Sequence, residues 1–173
     1  MFYTAPEGVA TPLAHDLHGG AVAVGVILAA DALGQATGSI MFSRFVAPPT
    51  RLRVMGPLAV ASCGVLVLFF AQPGLAVSLM ILVASGLCGS YQLAANAAFV
   101  RAAPDEQRSQ AFGLAQGALS LGQGTVMILA GAAAQHHAPA RVIAVCGAAG
   151  AVVAVAVAAG WAHYRGGPTT GRH

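Results

Sequence analysis

One acid stands inside a long apolar run of this chain: Asp31, in the segment GAVAVGVILAADALGQATGSI. A helix repeats every 3.6 residues, so positions four and seven apart share a face. On that spacing Asp31, Gln35 and Gly38 align. Ser85, Gly89, Gln92 and Asn96 align in a second apolar run. In another, Gln116 and Gln123 lie beside a small-residue face of Gly113, Gly117, Ser120, Gly124 and Gly131. A carboxylate and amides inside hydrocarbon are equipped to carry a proton, hold a cation or hydrogen-bond a polar solute. An aspartate at the middle of a membrane helix costs about 2.5–3.5 kcal/mol on insertion scales, so a functional role is the default. Asp31 has three readings: a proton carrier, an ionised group holding a cationic substrate, or a protonated or amide-paired structural residue. The amides either line a shared cavity or hydrogen-bond between helices as packing glue. Gly34 with Gly38, and Gly113 with Gly117, have the spacing of close-packing helix faces.

Other chemistry is poorly supported. Ser85 lies in VASG, a weak likeness to the nucleophile motif of intramembrane serine proteases. Such a serine needs a base within hydrogen-bond reach. No apolar run holds a histidine centrally, so the chain is not read as an enzyme. Cys63, Cys88 and Cys146 form neither CxxC nor a metal knuckle and read as small packing residues. His15, Asp16, His18, His136 and His137 fall on one expected side of the membrane, which keeps an outer-side metal-binding membrane module as an alternative. A non-transporting membrane scaffold is the other alternative. No cofactor or resident metal is expected.

The elements that would position these residues follow from composition. The chain is 57% hydrophobic and 8% charged, against about 45–50% and about 25% for soluble domains. Several apolar runs approach the roughly 20 residues that cross a bilayer. The fold class is an all-α integral membrane protein, with the lipid bilayer as its surroundings. All eight basic residues are arginine, scattered between apolar runs, which is no nucleic-acid footprint. About five spans are expected, over residues 20–42, 54–71, 75–100, 110–134 and 142–162. Residues 1–19 form a stub and outer loop, and 163–173 a tail. The start lacks the basic and apolar regions of a signal peptide. Breaks fall at APPT, at Gln72, Pro73 and Gly74, at Pro104, and at HHAPA.

Arginines set the orientation, because short cytoplasmic loops carry the excess of Lys and Arg. Arg44, Arg51, Arg53, Arg101, Arg108, Arg165 and Arg172 fall on one side, and only Arg141 on the other. The C-terminus is therefore expected in the cytoplasm, with Trp161 and Tyr164 as interfacial anchors. Pro104, Asp105 and Glu106 suit a helix start, where the dipole favours anions. The spans over 54–71 and 142–162 carry no charged or amide side chain. The pattern expects three helices around a polar cavity and two toward lipid.

Three stretches resemble a known family. FVRAAPDEQRSQAFGLAQGALSLGQGTVMILAGAAAQ resembles the junction of helices ten and eleven in the major facilitator superfamily. GSIMFSRFVAPPTRLRVMGPLAV sits where that family's loop between helices eight and nine belongs. FYTAPEGVATPLA resembles the outer end of its helix seven. The resemblance implies the C-terminal half of a bacterial efflux-type transporter, half of a twelve-helix bundle, in the cell inner membrane. It implies that the spans over 20–42, 75–100 and 110–134 line the central cavity. Asp31, Gln35, Gln92, Asn96, Gln116 and Gln123 are then substrate- or proton-binding candidates. Arg44, Arg51, Arg53, Asp105, Glu106 and Arg108 are candidates in the cytoplasmic gate loops. The loop after the first span lacks the acid that the family's motif often carries. In such folds substrate lies between two halves that rock against each other. The chain is thus expected to be a fragment truncated within helix seven, inactive alone, and completed by a missing N-terminal half or a second chain.

Overall fold

The computed structural model describes residues 2–102 and 108–166. Every regular element among them is helical, as hydrocarbon demands of a chain that must satisfy its own backbone. A 3-10 turn, Phe2–Thr4, leads into α1 (Ala5–Asp16). Next come α2 (Gly20–Phe45) and α3 (Pro48–Leu66), the latter ending in a 3-10 turn, Val67–Ala71. Then follow α4 (Leu75–Gly89), α5 (Tyr91–Ala102), α6 (Arg108–Ala133) and α7 (Pro139–Gly166). Four stretches are long and apolar enough to cross a membrane: Gly20–Phe45, Arg53–Ala71, Ser109–Ala133 and Pro139–Gly160.

The run over 75–100 is not the unbroken helix expected. It divides at Ser90, between α4 and α5. Gly86 and Gly89 weaken the last turn of α4. The Ser90 N–H then bonds the Leu87 carbonyl at 3.3 Å, a tight three-residue step. At 15 residues, α4 is short of the roughly 20 a crossing needs, so a crossing here takes α5 as well.

The N-terminal stretch turns out to be central. Pro6 suits the first turn of α1, where its missing N–H costs nothing, and Ala5, Val9, Ala10, Leu13 and Ala14 are all buried. Glu7 and two prolines hide this role from hydropathy. The chain reverses over residues 17–20, with His18 at φ 54 and Gly20 at φ +33.

Two tight helix pairs form the frame. A Cβ added at Gly34 or Gly38 of α2 would come closer than 3.0 Å to the backbone of Val83 or Leu87 in α4. One at Gly86 would meet the backbone of Asp31 and Gln35 just as closely. Across the molecule, Gly147 and Gly150 of α7 press on Cys63 and Leu66 at the end of α3. Between the pairs runs α1, packed on α2, α6 and α7. The expectation that Gly34 and Gly38 are packing glue holds. For Gly113 and Gly117, no described residue lies within 4 Å of a Cβ built on either. None of the residues in the 18-residue apolar window of α6 is buried.

Candidate functional site

Asp31 sits midway along α2, 5% exposed, on the side where Gly86 lets α4 approach. Gln35, one helical turn on, donates from Nε2 to Asp31 Oδ2 at 3.0 Å. Asp31 Oδ1 is buried and has no hydrogen-bond partner among the described residues. Glu7 of α1 and the Tyr3 hydroxyl lie within its electrostatic reach. Glu7 adds negative potential and the neutral Tyr3 phenol adds none, so neither offers Asp31 a salt bridge. A Cβ on Gly89 would rest 3.7 Å from Gln35 Cγ, which carries the polar seam from α2 to the end of α4.

Two residues beyond the Ser90 break a second polar group begins. Gln92 of α5 donates to the Tyr3 hydroxyl, and Gln123 of α6 donates to the same oxygen at 3.3 Å. Tyr3 is 4% exposed. Its phenol joins three segments far apart in the chain and still has its own O–H to give. Of the six polar residues expected in a shared wall, the structure thus brings Asp31 to Gln35, and Gln92 to Gln123 through Tyr3. Asn96, half-buried on α5, and Gln116, exposed on α6, lie outside both groups. The polar faces of α2 and α4 meet each other rather than facing an open cavity, because glycine at 34, 38 and 86 allows backbone contact. Tyr3 is the residue the site-by-spacing reading missed. Its signal was the likeness of its segment to a cavity-lining helix.

The loop residues have separate roles. Arg51 donates from Nε to the Val46 carbonyl at 2.8 Å and from Nη2 to the Ser43 carbonyl at 2.7 Å. Its guanidinium stands 5.9 Å from the Phe42 ring centroid. It therefore closes the C-terminal end of α2, where carbonyls lack partners. Arg44 and Arg53 are exposed. Asp105 and Glu106 lie outside the described residues, as does the side chain of Arg108 at the start of α6.

His15, Asp16, His136 and His137 line one cleft of about 780 Å3, and His18 lines its neighbour. Two distant segments thus meet as the outer-side reading expected. Even so, among the described residues no three of His, Cys, Asp and Glu are placed to hold a metal ion. Ser85 donates to the Ser62 carbonyl at 2.9 Å, a bond between α4 and α3 that gives it a structural use.

A family model described as Major Facilitator Superfamily matches residues 2–172, nearly the whole chain. The chain belongs to the major facilitator superfamily. Neither the curated proteins nor the solved structures hold a match to it. As a member of a superfamily of transporters, this is a multi-pass membrane protein.

Proposed function

We propose that this major facilitator chain is the C-terminal part of a proton-coupled transporter that exports a small molecule, with Asp31 as the proton-carrying group. The observation that supports this is the buried carboxylate whose second oxygen has no hydrogen-bond partner among the described residues. Leaving a charge there unpaired is costly, so the site gains by taking a proton. Gln35 serves the ionised form by donating to Oδ2. A scaffold would have no use for a carboxylate held at that cost. The arginine bias supports a cytoplasmic C-terminus in the cell membrane.

The open face of α6, with Gln116, Gly113 and Gly117 exposed, supports a second helical unit facing it: an N-terminal half or another chain. Alternating access needs two such units. On this reading the chain alone moves no substrate.

The test uses the complete transporter, this chain with its opposing half, in proteoliposomes. Asp31→Asn keeps the shape and removes the charge. Flux driven by a pH gradient is expected to vanish while substrate exchange without a gradient persists, and Gln35→Ala is expected to be milder. Loss of exchange as well would assign Asp31 to a cationic substrate instead. An unchanged rate with unchanged pH dependence would leave Asp31 structural and overturn the proposal.

A further inference from the structure

Between α6 and α7, at the end where the two helices are joined, lies a cleft of about 570 Å3 that the transport reading does not use. This is within the roughly 300–1,000 Å3 of small-molecule sites. Val126, Leu129 and Ala133 form one wall, and Val142, Val145 and Cys146 the other. Phe2 and Phe70 add aromatic rings. Among the described residues, Arg141 and His137 are the only basic or acidic side chains that line it. They are four apart, at the loop end, with Arg141 in the first turn of α7. No acid lines this cleft; Asp16 lines the neighbouring one.

The cleft persists because α6 and α7 barely touch along their lengths. The segment before α1 is wedged beside α7: a Cβ at Gly150 would lie 2.6 Å from Phe2 Cβ. Its rim is apolar and open, with Leu129 63% and Val145 56% exposed. In a membrane, surface of that kind meets acyl chains. The walls run from Ala133 back to Val126, seven residues and so about 10 Å of depth from the loop end. An arginine fork beside an imidazole at the mouth matches a phosphate. With no acid among the described residues of the cleft, the amine of a zwitterionic headgroup has no carboxylate partner inside it.

We propose that this cleft binds one anionic phospholipid, its phosphate on Arg141 and His137 and one acyl chain between α6 and α7. The charged mouth selects the headgroup and the apolar walls hold the chain.

The test is native mass spectrometry of the purified protein in micelles mixed from phosphatidylglycerol and phosphatidylcholine. One retained phosphatidylglycerol is expected in preference to phosphatidylcholine. Arg141→Gln should reduce that preference about tenfold, the value of a charge-assisted contact. Val145→Trp, at an exposed position, should fill the groove and remove bound lipid of both kinds. Arg53→Gln, at an exposed arginine that does not line this cleft, should leave the preference unchanged, and excess glycerol phosphate should fail to displace the lipid. The proposal is overturned if Arg141→Gln and Val145→Trp retain lipid as the unmodified protein does. It is equally overturned if Arg53→Gln loses as much preference, or if glycerol phosphate displaces the lipid and so reveals a plain phosphate site.

Discussion

Removing the Tyr3 hydroxyl strands two amides at once, because Gln92 and Gln123 both donate to it. Interhelical hydrogen bonds in membranes average about 0.6 kcal/mol, so Tyr3→Phe should lower stability by about 1 kcal/mol. Unfolding in mixed micelles at rising SDS fraction checks this. No change in the midpoint would mean that the phenol is not a structural node. The same variant leaves Asp31 and Gln35 in place, since their bond lies within α2. At this scale the sequence revealed much. Asp31 was visible as a lone acid in an apolar run, and Gln35 as its neighbour one turn away. Tyr3 was not, because a single tyrosine in the opening residues has no periodic partner to mark it. Gln116 and Gln123 looked alike from their seven-residue spacing, yet one is exposed and the other bonds Tyr3. Spacing gives the face a residue is on; it does not give what stands opposite.

Helices packed through glycine behave differently from helices that merely contain it. Gly86 admits the backbone of α2, so Gly86→Val forces α2 and α4 apart, at a cost of about 1–3 kcal/mol typical of overpacking. No described residue lies within 4 Å of a Cβ at Gly117. There Gly117→Ala should add up to about 1 kcal/mol through helix propensity alone. Opposite shifts in thermal stability are expected, and two losses of equal size would show that a close neighbour also covers α6. The contrast marks a limit of sequence reading. Gly34 with Gly38 and Gly113 with Gly117 share one motif, and only the first pair has a helix against it. The long spans were legible because Pro, Gly and Arg punctuate uniform apolar runs. The break at Ser90 was not, since glycine and serine are tolerated within helices and no proline marks the site. The central position of α1 was hidden by Glu7 and Pro12, which make a core helix look like a loop.

Over the whole molecule, the arginines and the packing make separate statements. Arginine bias predicts the loop at Arg51 inside and the turn at His136 outside. With Cys63, Cys88 and Cys146 replaced, single cysteines at those two positions are checked with an impermeant thiol reagent on intact cells. Labelling is expected at 136 and not at 51, and the reverse pattern inverts the topology. The packing is uneven. α1 packs on α2, α6 and α7, whereas the rest of α6 leaves Leu114 77% and Leu121 76% exposed. A span with so few intramolecular contacts also bears on the lifetime of the protein in the cell. Membrane quality-control proteases act on spans that leave their bundle, and on the proposed reading a second unit against the outer face of α6 helps to hold it in place. Abundance should therefore follow the supply of that cover. In a pulse-chase, the chain made together with an opposing six-helix half should persist several-fold longer than the chain made alone. Equal half-lives would mean that α1 by itself is enough to retain α6.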